Sequence, residues 1–254
     1  MEGSAQLNPN QAWEIWGRKE PYFAVLTDEK YLSENLTDEQ IETFFESGRH
    51  HVRDKLAQIH RVLGEHFVPR CALDFGCGNG RVLVALTDVA ESVIGVDVSK
   101  SILAEAQRNC EARGRGDNWR LMTTAAFLDD LALSYNFLHS HLVFQHIRQP
   151  EGERLLRILA ERLDPGGVLA VNLLCRNPKG RVQRAVIWLE TRFQVVHLLV
   201  KWLKGARHRV APMEMNTYGV EKVSALLAES GVHVLEVSMY DEGALRWATY
   251  IGTK

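Results

Sequence analysis

Three glycines at alternate positions, preceded by an acid, are the residues of this sequence best suited to bind a ligand. The run Cys71-Ala72-Leu73-Asp74-Phe75-Gly76-Cys77-Gly78-Asn79-Gly80 begins with a short apolar segment, which is typical of a buried parallel strand closed by glycines. The segment 81–86 then follows as the start of a helix. A strand that turns through glycines into a helix presents backbone N–H groups in a loop without side chains, so a ligand can approach the backbone closely.

A second acid, Asp97, ends the next predicted strand, residues 91–97. An acid about 20 residues beyond a glycine loop, at the end of the second strand, is placed to accept hydrogen bonds from ribose hydroxyls. The glycine spacing differs from the G-x-G-x-x-G of dinucleotide-binding proteins, because Arg81 stands where the third glycine would be. This difference disfavours an NAD-dependent oxidoreductase.

The pattern Asp-x-Gly-x-Gly-x-Gly over residues 74–80 resembles motif I of the class I S-adenosylmethionine-dependent methyltransferases. The resemblance implies a Rossmann-like α/β fold, with a mostly parallel sheet that ends in an antiparallel C-terminal hairpin. It implies S-adenosylmethionine as the cofactor, with its ribose held by Asp97 and its adenine near Thr124, where the family often has an aspartate. The predicted cofactor residues are Asp74, Gly76, Cys77, Gly78, Gly80, Arg81, Asp97, Val98, Ile102, Thr124, Ala125 and His141.

The amino-acid composition limits the kinds of molecule that this protein is expected to bind. The chain has 254 residues, of which 46% are hydrophobic and 24% charged, so it can bury a sizeable core. The net charge of −2 gives no general attraction for nucleic acid. The four cysteines form no C-x-x-C pair and no metal-ligand spacing with histidine, which favours reduced thiols in a cytoplasmic protein without a metal. The N-terminus has no apolar segment typical of a signal peptide.

Residues 1–68 are expected to form an N-terminal arm with helices, ahead of a methyltransferase domain over residues 69–254. Residues 1–35 are aromatic and are predicted to be irregular, acting as a lid over cofactor and acceptor, as a packed arm, or as both. Thr37 to Gln40 is a capping box that starts a helix, and Ser47-Gly48 is expected to interrupt it. The histidines at positions 50, 51, 60 and 66 are expected on solvated helix faces.

Residues 135–147 are predicted to be the fourth strand and the loop after it, and residues 140–146 should face the methyl donor and acceptor. His146 is the candidate general base, with a structural role as the alternative. His139 and His141 are two residues apart, so both should share one strand face in a core or supporting role. The three histidines lack a carboxylate or cysteine at ligand spacing, so they predict no metal site.

A segment rich in apolar and basic residues, 182–203, is predicted to be an amphipathic helix inside an insert, 176–216, after the fifth strand. Three roles compete: a cap on the acceptor pocket, a homodimer contact, or a membrane-surface contact. The slightly acidic chain disfavours the third role. The residues predicted to contact the acceptor are Trp16, Tyr22, Tyr31, His146, Glu214, Asn216 and Tyr218.

The sequence therefore predicts a methyltransferase that uses S-adenosylmethionine to methylate an oxygen or nitrogen of a small, partly apolar molecule. The residues Val143-Phe144-Gln145-His146 stand where DNA and RNA methyltransferases carry an Asn-Pro-Pro-Tyr-type tetrapeptide, which favours a small acceptor over a nucleic acid. The alternative is a catalytically inactive S-adenosylmethionine-binding module that acts as a regulatory or assembly partner through its insert.

Overall fold

The computed structural model describes residues 9–64, 66–114, 116–178, 213 and 215–254. Its α-helices are α1 (Pro9–Lys19), α2 (Pro21–Val25), α3 (Asp38–Leu63), α4 (Arg81–Leu86), α5 (Lys100–Ala112), α6 (Thr124–Asp129), α7 (Gln149–Glu161) and α8 (Val220–Glu229). Its strands are β1 (Cys71–Phe75), β2 (Ser92–Asp97), β3 (Trp119–Thr123), β4 (Tyr135–Ser140), β5 (Leu163–Arg176), β6 (His233–Glu242) and β7 (Leu245–Thr253).

The seven strands form one sheet in the order β3-β2-β1-β4-β5-β7-β6. Strands β1 to β5 pair in parallel, whereas β7 is antiparallel to both β5 and β6. This confirms the predicted mostly parallel sheet with an antiparallel C-terminal hairpin. The strand order reverses between β1 and β4, and ligands of open α/β sheets bind in the crevice at the carboxyl ends of strands at such a point.

Residues 9–19 and 21–25 of the N-terminal arm are helical, which corrects the expectation that residues 1–35 are irregular. Pro21 occupies the first position of α2, where its missing N–H and fixed φ favour helix initiation. The arm's buried aromatic side chains share one apolar core with α3, α4 and β1. The arm is therefore packed against the sheet through aromatic burial, which is a large source of apolar stabilisation.

Helix α3 runs without a break through Ser47 and Gly48, so the predicted interruption is wrong. The predicted capping box is confirmed, because Thr37 Oγ1 accepts from the Gln40 N–H and Gln40 Oε1 accepts from the Thr37 N–H. Gly48 is a packing residue: a Cβ there would lie 2.0 Å from the carbonyl oxygen of Arg81. The absence of a side chain lets α3 lie directly against the start of α4.

The expected solvated position of His51 is also wrong. Its ring faces the sheet, and its Nε2 lies 2.9 Å from Nε2 of His139 on β4.

Strand β5 begins earlier than expected, at Leu163. The predicted turn over residues 164–167 lies within the strand as an irregularity, because Tyr135 pairs with Leu163 whereas Phe137 pairs with Val168. Gly166 takes a φ of +73° there, which suits glycine.

The predicted cap helix, 182–203, lies outside the described residues. Within the described part of the chain, no helix combines the length and apolar character needed to cross a bilayer.

Candidate active site

The glycine loop follows β1 at the strand-order reversal. Gly76, Gly78 and Gly80 take φ values of +77°, +55° and +93°, in the left-handed region that favours glycine. A Cβ on Gly76 would lie 2.2 Å from Cγ2 of Val143, and one on Gly78 would lie 2.6 Å from Cγ2 of Val25. The loop is therefore enclosed by α2 and by the segment after β4, and side chains are excluded from it by both conformation and space.

Asp97 at the end of β2 is held by backbone donors. Its Oδ2 accepts from the Gly78 N–H at 3.1 Å, and its Oδ1 accepts from the Ser99 N–H at 3.0 Å. Burial raises the pKa of Asp97 to about 6, although the hydrogen bonds from Ser99, Gly78 and Val98 oppose this rise. The carboxylate thus couples the glycine loop to the start of α5, and it titrates close to neutral pH.

A cleft of about 700 Å³ opens at the carboxyl ends of β1 to β4. Most of the predicted cofactor residues line it: Gly76, Gly78, Asp97, Val98, Ile102, Thr124, Ala125 and His141. The other four do not line it. Asp74, Cys77 and Arg81 are buried behind the loop, and Gly80 starts α4 against Ala106.

A second part of the cleft wall is mostly apolar. The side chains that form it are Trp13, Leu142, Val143, Ile147 and Leu155, together with His146, Arg148 and Glu151. Leu142 has a φ of +59°, the single positive φ among the described residues other than glycine. Backbone strain of this kind costs about 1–3 kcal/mol and often occurs at functional sites.

His146 lies in this wall as predicted from its position after β4. Its Nε2 is 3.0 Å from Nε2 of Gln145, and its ring is 4.8 Å from that of Trp13 in an edge-to-face contact. The side chain is therefore held from two sides, by a polar and an aromatic neighbour.

The three predicted aromatic acceptor residues of the arm do not line the cleft. Trp16 stacks on Phe23, and Tyr31 packs against Phe44. Tyr22 donates its hydroxyl to Oδ1 of Asn109 in the core at 2.9 Å. Among the arm's aromatic side chains that the structure describes, Trp13 reaches the cleft, and it was not among the predicted acceptor residues. No local signal distinguishes it from its neighbour three positions on, because the docking of α1 decides which one faces the ligand.

Asn216 and Tyr218 also contact protein rather than the cleft. The Asn216 N–H donates to the carbonyl of Gln145 at 2.6 Å, and the Tyr218 hydroxyl donates to the carbonyl of Ile147 at 2.8 Å. These residues therefore fix the turn that carries His146. Glu214 lies outside the described residues.

Helix α1 covers the cleft with Asn10 and Trp13, and Glu14 attaches it to the start of α5. Glu14 Oε2 accepts from the Ser99 hydroxyl at 2.8 Å and from the Ser101 N–H at 3.2 Å. Partial burial opposes ionisation of Glu14, but its hydrogen bonds from Ser101, Ser99 and Arg18 outweigh burial and lower its pKa to about 2. Glu14 thus connects α1 to α5, the helix that follows Asp97.

Glu14→Gln is expected to weaken the binding of S-adenosylhomocysteine about tenfold, a change of about 1.4 kcal/mol, because α1 loses the charged hydrogen-bond acceptor that connects it to α5. Titration calorimetry checks this, with Glu34→Gln at an exposed position as the matched control. Because the pKa of Glu14 is lower in the folded state, the ionised side chain contributes its full stabilisation of the folded protein above pH 4.5. This stabilisation is lost as the pH falls toward 2. Equal affinities of the two variants would contradict this role of Glu14 in cofactor binding.

The strand order, the glycine loop and the acid at the end of β2 together define a nucleoside-binding α/β protein of the doubly wound class. Residues 72–167 match a family model described as a methyltransferase domain. Over these residues the chain therefore carries a methyltransferase domain, as the glycine motif predicts.

Two curated relatives are ubiquinone biosynthesis O-methyltransferases. That of Coxiella burnetii is 26% identical over 161 residues, which are 63% of this chain and 66% of the relative. That of Pseudomonas aeruginosa is 25% identical over 149 residues, which are 59% of this chain and 62% of the relative. The match thus spans just under two thirds of the length of these relatives.

Two solved structures share this fold. The magnesium protoporphyrin IX methyltransferase of Synechocystis PCC 6803, with bound S-adenosylmethionine, has a TM-score of 0.62 at 15% identity. The similarity covers 98% of this chain and 99% of that one. The N-methyltransferase NodS of Bradyrhizobium japonicum WM9, in complex with S-adenosylhomocysteine, has a TM-score of 0.51 at 16% identity over 80% of this chain and 87% of that one.

Proposed function

We propose that this protein transfers a methyl group from S-adenosylmethionine to an oxygen or nitrogen of a small, partly apolar molecule. One observation carries the proposal: a single cleft is lined both by the glycine loop and Asp97 and by apolar side chains together with His146. Two ligands can therefore meet in it, one with a ribose and one with an apolar body.

The residues present fit the cofactor. The volume of about 700 Å³ lies within the roughly 300–1,000 Å³ typical of small-molecule sites. Asp97 offers a carboxylate for ribose hydroxyls, and Thr124 and Ala125 lie at the end of β3, where the adenine is expected. S-adenosylmethionine, when bound, supplies a methyl group on a positively charged sulfur, activated for displacement.

What the chain itself must contribute is alignment and exclusion of water. Trp13 and Val25 cover the cleft from the arm, and Leu142 and Val143 cover it from the segment after β4. An acceptor with a hydroxyl also needs a group that takes its proton, and His141 and His146 are the histidines in the cleft wall.

The names of the relatives support an apolar acceptor. Ubiquinone biosynthesis and magnesium protoporphyrin IX both involve small molecules with large apolar parts, and one enzyme is named as an O-methyltransferase. The apolar wall of this cleft suits a molecule of that kind.

Calorimetric titration with S-adenosylhomocysteine tests the proposal, with NADH as the control ligand. We expect micromolar binding of the first and no binding of the second, because Arg81 replaces the third glycine of the dinucleotide fingerprint. Absence of S-adenosylhomocysteine binding would contradict the proposal. Binding without methyl transfer to any acceptor would instead favour the inactive cofactor-binding module.

Several expectations from the sequence remain proposals. They are the division at residue 68, a cap or homodimer contact through residues 182–203, the weaker alternative of a membrane-surface contact there, the absence of a nucleic-acid partner, and a cytoplasmic location. Gel filtration with light scattering measures the homodimer directly.

A further inference from the structure

A buried line of polar side chains lies behind the cleft. His139 Nδ1 on β4 is 2.8 Å from Oδ1 of Asp74 on β1, and each side chain is 3% exposed. His139 Nε2 is in turn 2.9 Å from Nε2 of His51 on α3. Groups this deeply buried are costly unless they are paired, so the line is a specific arrangement rather than a solvated cluster.

The line continues to the cleft through a ring contact. The ring centroids of His51 and His141 are 4.4 Å apart, with the ring planes inclined by 40°. His141 lines the cleft and stands directly before Leu142, whose φ is positive. The buried end of the line is therefore the acid of the glycine motif, and the open end is a histidine in the ligand site.

The distances along the line are those of hydrogen bonds. Oδ1 of Asp74 can accept from a protonated Nδ1 of His139, and a single proton lies between the facing Nε2 atoms of His139 and His51. Hydrogen bonding therefore sets the orientation of the His51 ring.

The surroundings of His141 keep it neutral. Burial lowers the pKa of His141 well below its usual value, and the charge of Arg81 and the neighbouring His139 and Lys55 lower it further. The charged and titratable groups around this cluster are His51 and Lys55 from α3, Asp74 from β1, Arg81 from α4 and His139 from β4. At neutral pH the His141 ring thus has a nitrogen lone pair.

His141 and His146, the two histidines named in the cleft wall, differ in whether a protein group lies within hydrogen-bond distance of a ring nitrogen. His146 Nε2 lies within hydrogen-bond distance of the Gln145 amide nitrogen, and that amide is a donor. Among the described residues, none hydrogen-bonds to a ring nitrogen of His141. Within the described part of the chain, no protein donor therefore competes with a ligand for the lone pair of His141.

We propose that His141 accepts the proton of an acceptor hydroxyl, and that Asp74, His139 and His51 are positioning residues that hold its ring. This rests on the proposed function. A lone pair of the hydroxyl oxygen forms the new bond to the methyl carbon, the carbon–sulfur bond breaks with its electron pair going to sulfur, and the O–H proton passes to His141. One positive charge is lost at sulfur and one is gained at the imidazole, so the charge balances.

The rates of methyl transfer to two phenols distinguish a general base from a residue with only a structural role. Methyl transfer to phenol and to 4-nitrophenol is measured at mildly alkaline pH and saturating cofactor, where 4-nitrophenol is ionised and needs no base. We expect His141→Gln to lower turnover of phenol about 10²–10⁴-fold and to leave turnover of 4-nitrophenol close to that of the native protein. His146→Gln, the matched control, should affect both phenols alike.

The positioning residues have their own readouts. His51→Leu should lower turnover of phenol less than His141→Gln does and should shift the pH profile, whereas His51→Gln, which retains a donor, should restore most of the rate. Nitrogen-15 spectra of the ligand-free protein should show a neutral His141 ring at pH 7, and His51→Leu should alter its signals.

Equal losses on both phenols, a phenol-selective loss in His146→Gln instead, or a charged His141 at pH 7 would each overturn the proposal. A native protein that binds S-adenosylhomocysteine but methylates neither phenol would overturn it as well. Failure to bind S-adenosylhomocysteine is a different result, because it contradicts the proposed function itself.

Discussion

Asp97→Ala is expected to weaken S-adenosylhomocysteine binding by on the order of 100-fold. The change removes the acceptor of the Gly78 and Ser99 N–H groups as well as the predicted ribose contact. Hydrogen bonds to a charged group are worth about 1.5–3 kcal/mol each, and about 1.4 kcal/mol corresponds to a factor of ten. Titration calorimetry measures the loss. Unchanged affinity would remove Asp97 from the cofactor site.

The pH dependence of the same site provides an independent check. With a pKa of about 6, Asp97 gains a proton as the pH falls below 6, so cofactor affinity should fall by up to about tenfold per pH unit. The same titration changes the stability of the folded protein in the opposite direction to the cofactor affinity. Because the folded pKa is raised, the residue's contribution to stability is complete below pH 3.8 and is lost as the pH rises through 6.

Asp97→Asn is the control, since an amide keeps the size of the side chain and does not titrate. Its affinity should be weak and nearly independent of pH between 5 and 8. A native-like pH profile in this variant would assign the titration to another group.

Gly48→Ala is expected to reduce the free energy of unfolding by about 2 kcal/mol or more. Alanine favours a helix over glycine by about 1 kcal/mol, so an exposed site in α3 would gain stability. Here the new Cβ would lie 2.0 Å from the carbonyl oxygen of Arg81, and overpacking against backbone costs about 1–3 kcal/mol and occasionally more. The steric term therefore outweighs helix propensity.

Urea denaturation of the full chain checks this prediction. Gly116→Ala is the matched control, because its Cβ would meet no atom within 4 Å and its φ is not positive, so a change within about 0.5 kcal/mol is expected. A more stable Gly48→Ala protein would show that α3 and α4 separate easily. Since His51 is one turn beyond Gly48, the variant should also disturb the contact between His51 and His139.

Local sequence was sufficient for the parts of the site that depend on neighbouring residues. The strand, glycine loop and helix over residues 71–86 follow from an apolar run and from glycines that adopt positive φ, and the structure has them in that order. The Thr37 capping box and the C-terminal hairpin were predicted for the same reason, since their hydrogen bonds join residues close in the chain.

Tertiary packing decided the features that depend on distant residues. His51 and His139 are 88 positions apart, so nothing near either one indicates their contact. Gly48 resembles a helix break in sequence, yet it is required where α3 meets α4. Trp13 rather than Trp16 reaches the cleft because Glu14 attaches α1 to the start of α5. Hydrogen-bonding and φ preferences act locally, whereas the choice of which side chain faces the ligand depends on how whole elements pack.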